Sequence, residues 1–317
     1  MKAITIKKFC PVEEMHLTDL PTPQPTANEV QIQIAYTAVN PVDWKICEGW
    51  LKKMIPHEFP LIPGWDAAGT VTAMGKNVMD LKIGDEVYAY CRKPTVQWGT
   101  YAEYVCFNAN HVALKPKKFN FAQAASIPLV GLTAWQSLFE AANLQKGESI
   151  LIHAGAGGVG SLAIEFAKYA GAKIYTTASG NNHGYVKKLG ADYAIDYHKE
   201  DFVEKIHSLD PEGVDVVMDC VGYDALTQSF DVIKPGGRLI SIVQKIDKEK
   251  CEERNIHGEF VFVRPDGEQL KEIADLIDKG VVIAPHIEEM PLADFGKALA
   301  KNREGHTQGK IVLRVIQ

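Results

Sequence analysis

A glycine-rich turn between an apolar strand and a helix constrains the fold of this chain more than any other feature. Residues 149–154 read SILIHA, and residues 162–172 read LAIEFAKYAGA, with large side chains at helical spacing. Between them Gly155, Gly157 and Gly160 form the pattern G-x-G-x-x-G. Such glycines bring the backbone close to a pyrophosphate, which the N–H groups at the helix start can bind. The motif predicts a dinucleotide site; the alternative is a glycine-rich turn without a ligand.

The residues after this turn alternate between strand-like and helical segments. Strand-like runs occupy residues 173–179, 193–196, 214–222 and 237–243, and helical patterns occupy residues 183–191, 200–209 and 225–234. Sustained alternation of this kind is typical of a parallel sheet covered by helices on both faces. The sequence therefore predicts a doubly wound α/β fold for the middle of the chain.

The first third of the chain has a different pattern. In residues 29–39, Val30, Ile32 and Ile34 alternate with glutamines, which is the period of a strand, and proline and glycine punctuate the regions on either side. Short strands joined by turns predict a compact domain resembling a β-barrel. A boundary is expected near residues 120–124, and the strand-like residues 310–316 can return to the first domain.

Composition limits the classes of function. The chain has 317 residues, 46% of them hydrophobic, and a formal net charge of −6. This predicts two domains with a sizeable core and gives no general attraction to nucleic acid or to an anionic membrane. Early charges and the lack of a long apolar run favour a cytoplasmic location. None of the six cysteines forms a CxxC pair, so we expect reduced, mostly buried thiols.

The strand that follows the glycine motif indicates which cofactor is bound. NAD-binding folds tend to carry Asp or Glu about 20 residues beyond the glycines, on the ribose hydroxyls. Here the segment KIYTTAS ends at Ser179, and glycine and asparagines follow instead of a carboxylate. Hydroxyl and amide groups can donate hydrogen bonds to a 2′-phosphate, which a carboxylate would repel. We therefore predict NADPH in preference to NADH; alternatively, Ser179 simply caps a helix.

No metal motif is visible. A catalytic zinc usually takes Cys, His and carboxylate ligands, and those residues are scattered here. His57 and Glu58 lack the second histidine of an HExxH motif. The sequence predicts no metal site.

Taken together, these residues resemble the medium-chain dehydrogenase/reductase superfamily, and within it the zinc-free quinone oxidoreductase and enone reductase branch. The resemblance runs nearly end to end. The segments that carry it are residues 39–45 (VNPVDWK), 62–71 (IPGWDAAGTV), 83–88 (IGDEVY), 99–105 (GTYAEYV), 131–135 (GLTAW), the glycine motif, 189–192 (LGAD), 263–267 (VRPDG) and 305–313 (GHTQGKIVL).

Two departures define the branch. Zinc alcohol dehydrogenases carry a Cys-His-Thr-Asp-like segment where this chain has residues 40–43 (NPVD), and Gly-His-Glu where it has residues 64–66 (GWD). The four-cysteine lobe of their structural zinc is also missing between Cys91 and Cys106. The resemblance implies a GroES-like β-barrel domain from residues 1–123 and 264–317, and a Rossmann domain from residues 124–263.

The resemblance also implies a set of cofactor contacts. Those for the pyrophosphate are Gly157, Gly158, Val159 and Gly160. Ser179 and Tyr197 would contact the 2′-phosphate, and Asn40 and Thr133 would lie near the nicotinamide. The groove along the strand ends would be lined by Val221, Val243 and Phe262, with His306 and Lys310 approaching from the C-terminal segment. Taken alone, Asn40 could be a turn residue, Thr133 a helix cap and Tyr197 a half-exposed aromatic residue.

The implied reaction is hydride transfer from NADPH to a quinone or an α,β-unsaturated carbonyl compound, without zinc. The developing oxyanion needs a donor or a proton, and the candidates are Lys45, Asn40 and Tyr36. Lys45 fits only if its ammonium group points inward. The alternatives are reduction of enoyl thioesters or small carbonyl compounds, and a non-enzymatic NADPH-binding regulator. The expected partner, besides the small substrate, is a second copy of the chain in a homodimer.

Overall fold

The computed structural model describes residues 1–305 and 307–316. The chain divides into two compact units. The N-terminal unit contains Met1–Leu129 and the segment that begins at Arg264, and the central unit is Val130–Val263. The domains predicted from the sequence are residues 1–123 with 264–317, and residues 124–263.

In the first third of the chain most strands follow one another directly, whereas in the central unit strands alternate with helices. In chain order they are β1 (Lys2–Thr5), β2 (His16–Asp19), β3 (Glu29–Ala38), β4 (His57–Ile62), β5 (Asp66–Met74), β6 (Glu86–Tyr90), β7 (Val96–Trp98), β8 (Tyr104–Asn108), β9 (Val112–Leu114), β10 (Ser149–Ile152), β11 (Lys173–Ala178), β12 (Tyr193–Asp196), β13 (Val214–Asp219), β14 (Ile233–Ser241), β15 (His257–Phe260), β16 (Ile287–Pro291) and β17 (Lys310–Arg314).

The α-helices are α1 (Pro41–Cys47), α2 (Phe121–Ala125), α3 (Pro128–Trp135), α4 (Gly158–Ala170), α5 (His183–Leu189), α6 (Phe202–Leu209), α7 (Tyr223–Ser229), α8 (Lys248–Arg254), α9 (Gly267–Lys279) and α10 (Phe295–Arg303). A π-helical segment, Gln136–Ala141, continues α3. Short 3-10 helices occupy Val12–Glu14, Ala109–His111, Gly180–Asn182, Phe230–Val232 and Leu292–Asp294. No helix among residues 1–305 and 307–316 combines the length and apolar character that crossing a bilayer requires.

The central unit is built on a six-stranded sheet. Its order is β12-β11-β10-β13-β14-β15, and every neighbouring pair is parallel. This is the order of a Rossmann fold, with the chain reversing direction across the sheet between β10 and β13. The strands are short apolar runs because helices cover both faces; all four residues of β10, for example, are buried. The predicted doubly wound fold is confirmed.

The N-terminal unit is organised around the long strand β3. One edge of β3 pairs with β5, and the other pairs with β8 near its start and with β17 near its end, all antiparallel. The pairing Val312↔Ala38 places the C-terminal strand directly beside the residues that precede α1. The fold therefore brings Lys310, the first residue of β17, to the N-terminus of α1.

Candidate functional site: the dinucleotide loop and a buried polar network

The glycine turn joins the end of β10 to the start of α4, as the motif predicts. Ala154 begins the turn with φ +54°, and Gly157 N–H donates to its carbonyl at 3.0 Å. Ser161 N–H donates the first hydrogen bond of the helix, to Gly157 O at 2.9 Å. The N–H groups of residues 158–160 come before that bond, at the positive end of the helix dipole. They form an anion-binding site of the type that holds a pyrophosphate.

The three motif glycines are required for different reasons. A Cβ on Gly155 would lie 2.0 Å from Thr176 Oγ1, and one on Gly160 would lie 2.3 Å from Ala154 O. Packing inside the protein therefore excludes side chains at both positions. A Cβ on Gly157 would meet only Ala154 O, at 3.3 Å. Contacts within the protein therefore do not explain why residue 157 is a glycine. A ligand that approaches the backbone closely would explain it.

The carboxyl ends of β13 and β14 are braced by Asp219, which sequence reasoning missed. Its Oδ1 accepts from the N–H groups of Val221 and Gly222 at 2.9 and 2.8 Å, and its Oδ2 accepts from Ser241 Oγ at 2.7 Å. Asp219 and Ser241 are also register partners. This buried carboxylate fixes the turns at the sheet edge where ligands of open α/β sheets bind.

Exposed apolar side chains follow these strand ends. Val221, Val243 and Phe262 come after β13, β14 and β15 respectively, and each is exposed although large and hydrophobic. Apolar side chains that are exposed to water at this edge would be covered favourably by a flat, partly apolar ligand. Their part in a cofactor groove stays a prediction.

Ser179 and Tyr197 lie side by side at the ends of neighbouring strands. They follow Ala178 and Asp196, which are register partners in β11 and β12. Ser179 starts a 3-10 turn, yet its hydroxyl does not cap the backbone; it accepts instead from Asn182 Nδ2 at 3.0 Å. Tyr197 is half-exposed, with its ring 4.2 Å from that of His198. Both side chains can reach a ligand at this edge.

A carboxylate from the neighbouring strand β12 also reaches this edge. Asp196 Oδ2 lies 2.7 Å from where a Cβ on Gly180 would stand. The N–H of His198 donates to Asp196 at 3.2 Å, and the Lys199 ammonium group lies 3.7 Å away. Burial raises the pKa of Asp196, but these two groups outweigh it and lower the pKa overall. No acidic residue directly follows β11, as the sequence shows. In the folded sheet, however, β12 places Asp196 at the same edge, with Lys199 balancing its charge.

Thr133 is buried within α3. The helix starts at Pro128, so Thr133 stands beyond its first turn and the alternative of an N-terminal cap is wrong. His306 lies outside the described residues.

In the N-terminal unit, Asn40 is the centre of a buried polar network. Its Nδ2 donates to Asp66 Oδ2 at 2.7 Å, and its Oδ1 accepts from Lys310 Nζ at 2.5 Å. The Lys310 ammonium group also donates to Val39 O at 2.9 Å and lies 3.8 Å from Asp66 Oδ2. Leu129 N–H donates to Asp66 Oδ1 at 2.7 Å. These bonds fix the orientation of the Asn40 amide and leave one of its two amide hydrogens for another partner.

Asp43 extends the network into the core. Its Oδ2 accepts from Asn40 N–H at 2.8 Å and from the Tyr101 hydroxyl at 3.0 Å, whereas its Oδ1 is buried without a partner among the described residues. The first bond caps the N-terminus of α1, so Asn40 is a helix-start residue rather than a simple turn residue. Sequence reasoning missed Tyr101 and the link to Asp66, because they join segments far apart in the chain.

Burial dominates the ionisation of this network. It raises the pKa of Asp43 to about 7, with the nearby Asp66 adding to the shift and hydrogen bonds opposing it. Burial also raises the pKa of Asp66 and lowers that of Lys310, although each charge favours the other. Because its pKa lies near 7, Asp43 is the carboxyl group of this network that can gain or lose a proton near neutral pH.

Two predicted catalytic candidates do not join the network. The Lys45 ammonium group lies over the Trp44 ring, 5.4 Å from its centroid, and no hydrogen bond links it to Asn40 in the described chain. The Tyr36 hydroxyl donates to Glu289 Oε2 at 3.0 Å on β16. Tyr36 and Thr37 point to opposite faces of β3, and Thr37 is the one that contacts Asp66. Neither Lys45 nor Tyr36 is retained in the proposed site.

The positions that carry zinc ligands in zinc alcohol dehydrogenases have other roles here. Asn40 and Asp66 bond to each other, and the buried Trp65 packs edge-on against Tyr90 with ring centroids 5.8 Å apart. In residues 1–305 and 307–316, no three His, Cys, Asp or Glu side chains gather in a group that could hold a metal ion. The cation beside Asn40 and Asp66 is the ammonium group of Lys310.

Comparisons with known proteins agree with both units. The family described as alcohol dehydrogenase GroES-like domain matches residues 26–117, and the family described as zinc-binding dehydrogenase matches residues 189–313. The NADPH-dependent alkenal/one oxidoreductase of Arabidopsis thaliana, a chloroplastic protein by name, is 35% identical over 99% of this chain and 79% of its own length.

Two solved structures extend the comparison. The quinone oxidoreductase of Coxiella burnetii has 34% identity and a TM-score of 0.88, covering 100% of this chain and 99% of its own. The Escherichia coli quinone oxidoreductase complexed with NADPH has 27% identity and a TM-score of 0.89, covering 99% and 100%. The chain belongs to the medium-chain dehydrogenase/reductase superfamily, in its quinone oxidoreductase branch.

Proposed function

We propose that the protein is an oxidoreductase that reduces quinones or α,β-unsaturated carbonyl compounds with NADPH and without a catalytic metal. The observation that carries the proposal is the Asn40 network, in which Lys310 supplies a buried cation where zinc-dependent relatives hold metal ligands. The names of the Arabidopsis alkenal/one oxidoreductase and the Coxiella quinone oxidoreductase support the substrate class. NADPH in the Escherichia coli structure supports the cofactor.

The residues of the central unit fit NADPH. The N–H groups of Gly158, Val159 and Gly160 bind the pyrophosphate at the start of α4, and Gly157, which has no side chain, lets the ligand approach the backbone. Ser179 and Tyr197 contact the 2′-phosphate, where hydroxyl donors suit an anion and Lys199 balances Asp196. The strand ends supply the apolar contacts of Val221, Val243 and Phe262. Thr133, Asn40 and Lys310 belong to the same proposal, as contacts of the nicotinamide.

The chain's own groups determine which reaction is favoured. When bound, NADPH supplies the two electrons and the hydrogen for reduction. Asn40 presents a fixed amide hydrogen to an oxygen that gains negative charge, and Lys310 biases the local field in the same direction. In a conjugated acceptor that charge is delocalised, so these modest donors suffice. Alcohol oxidation needs a strong base at the hydroxyl. The network offers the carboxyl group of Asp43 for this role, and that group already accepts hydrogen bonds from Tyr101 and Asn40.

The test is a panel of acceptors measured through NADPH absorbance. A quinone, an enone, an enoyl thioester and a primary alcohol with NADP⁺ are compared under one set of conditions, with and without a chelator. We expect the quinone or enone to react fastest and chelation to have no effect, with no stoichiometric zinc in the purified protein. Alcohol oxidation faster than all three reductions would contradict the proposal, and inactivity on the whole panel would favour an NADPH-binding regulator.

Two wider expectations belong to this proposal, a homodimer and a cytoplasmic location. The edge strand β15 has a partner on one side only in the described sheet, so its other edge is open to pairing with a second copy. Light scattering on the purified chain measures the oligomeric state, and fractionation of the source cells measures the location. A monomer at micromolar concentration would contradict the first expectation.

A further inference from the structure

Three large apolar side chains are exposed on one segment of the N-terminal unit. In residues 50–59, Trp50, Met54 and Phe59 are 59%, 56% and 37% exposed. Residues 7–9 (KKF) lie beside them. We call residues 7–9 and 50–59 the basic aromatic patch.

Direct contacts hold the two segments of the patch together. Cys10 N–H donates to Cys47 O and Ile6 N–H donates to Leu61 O, both at 2.9 Å, so residues 7–9 run between these two anchors. The Phe9 ring packs edge-on against Phe59, with centroids 5.1 Å apart. The two segments of the patch therefore lie against each other.

The loop that carries Trp50 is firmly supported from below. Its N–H donates to Lys45 O at 2.9 Å, and its ring packs edge-on against Trp44 at 5.2 Å. Leu51 is buried, and Met54 N–H donates to its carbonyl at 2.8 Å. The turn thus holds Trp50 and Met54 outward on a rigid base, rather than leaving them exposed through disorder.

The charge of the patch is opposite to that of the whole chain. Its four lysines, Lys7, Lys8, Lys52 and Lys53, are all exposed, and Glu58 is its only acidic residue. None of the four lysines forms an ion pair within the described part of the chain. Glu13 and Glu14 border the patch, and Glu48 is paired with Arg303 at 2.5 Å. A local excess of positive charge thus stands on a protein whose formal net charge is −6.

We propose that the basic aromatic patch docks the protein on the surface of an anionic lipid bilayer. Tryptophan and phenylalanine favour the interfacial region of a membrane, and exposed lysines are attracted to anionic headgroups within a Debye length. Apolar contact and charge each contribute, as in other peripheral anchors. The prediction of no membrane partner rested on the net charge, which averages over the surface and conceals this patch. The proposal does not depend on the proposed reaction.

The test is cosedimentation of the full chain with phosphatidylcholine vesicles that contain or lack phosphatidylglycerol, at low and high ionic strength. We expect binding only with phosphatidylglycerol, weakened by salt. Lys52→Gln/Lys53→Gln and Trp50→Ser/Met54→Ser should each weaken binding about tenfold or more. Trp50 emission should shift to the blue in wild type on binding, judged against Trp50→Phe.

Matched controls lie on the turn between β5 and β6, where Met79 and Ile83 are exposed beside Lys76 and Lys82. Met79→Ser/Ile83→Ser and Lys76→Gln/Lys82→Gln should bind vesicles like wild type. Equal binding to both vesicle types, or no vesicle binding, would overturn the proposal. It would also be overturned if the patch variants bound vesicles normally but changed only the oligomeric state or the KM for quinone.

Discussion

Lys310 donates a hydrogen bond to the side-chain oxygen of Asn40 across 2.5 Å, although 270 positions separate the two residues in the chain. The bond depends on the antiparallel pairing of β17 with the end of β3. It places an ammonium group within 3.8 Å of Asp66, at the point where zinc-dependent relatives concentrate metal ligands. Charge compensation in this barrel is thus achieved by the chain itself.

Replacing Lys310 with methionine should break this compensation. Asp66 would be left in a buried site without its cation, where burial already raises its pKa, and Asn40 Oδ1 would lose its donor. We expect the free energy of unfolding to fall by about 3 kcal/mol and the rate of NADPH oxidation by tenfold or more. Denaturant titration and initial rates measure both effects.

The double variant Lys310→Met/Asp66→Asn provides the control. Removing the stranded charge should restore more than half of the lost stability without restoring the rate. Equal stability of Lys310→Met and wild type would show that the network is not charge-coupled.

Gly157 and Gly160 should respond differently to the same substitution. A methyl group on Gly160 collides with Ala154 O at 2.3 Å, so Gly160→Ala should destabilise the fold by about 2 kcal/mol or more. At Gly157 the nearest atom stands at 3.3 Å, so Gly157→Ala should fold nearly as well as wild type. It should nevertheless bind NADPH about tenfold more weakly, because its methyl group occupies the space of the ligand.

Gly184→Ala serves as the reference, because a Cβ there meets nothing within 4 Å. Thermal melts and fluorescence titration with NADPH separate stability from binding. Unchanged NADPH affinity in a folded Gly157→Ala variant would argue against the pyrophosphate site.

The sequence predicted features that depend on neighbouring residues and missed those that depend on distant pairing. The strand, glycine turn and helix around Gly157 follow from local pattern and turn chemistry, and the structure confirms them. The bracing by Asp219 and the approach of Asp196 to Gly180 could not be predicted, because each requires the register of two strands. For the same reason Lys45 was named as a catalytic candidate and Asp43 was not, since nothing local indicates which side chain of a short helix faces the core.

Ser179→Asp should reduce the preference for NADPH. The new carboxylate would stand one residue past Ala178, whose partner across the strands is Asp196, and would repel a 2′-phosphate. We expect NADPH affinity to fall about tenfold or more and NADH affinity to change little. Titration of both cofactors measures this, with Ser208→Asp on α6 as the matched control. Tighter binding of NADH than of NADPH by the wild-type protein would contradict the assignment.

Asp43 should make stability fall as the pH rises. Its pKa is about 7 in the folded protein and 3.8 ordinarily, so between these values the folded state binds the proton more tightly. Its contribution is fully present below pH 3.8 and is lost as the pH rises through 7, up to about 4 kcal/mol. Asp43→Asn keeps an acceptor for Tyr101 and Asn40 and removes this titration. From pH 5 to about pH 8 the wild-type protein should therefore lose stability relative to Asp43→Asn. A difference in unfolding free energy that stays constant over this range would exclude the raised pKa.

His153 should act in the opposite direction, at the base of the dinucleotide loop. It is buried, with Nδ1 3.2 Å from Thr177 Oγ1 and Nε2 3.0 Å from Ser229 Oγ, and burial lowers its pKa from 6.5 to about 4. Between these values the unfolded chain binds the proton more tightly, so stability is retained above pH 6.5 and falls as the pH drops toward 4, by about 3 kcal/mol. His153→Gln can bond to the same hydroxyl groups without titrating. Denaturant titrations at intervals across this range should give a shallower loss of stability for the variant than for wild type. If the unfolding free energies of His153→Gln and wild type fell in parallel with decreasing pH, protonation of His153 would not be the cause of the loss.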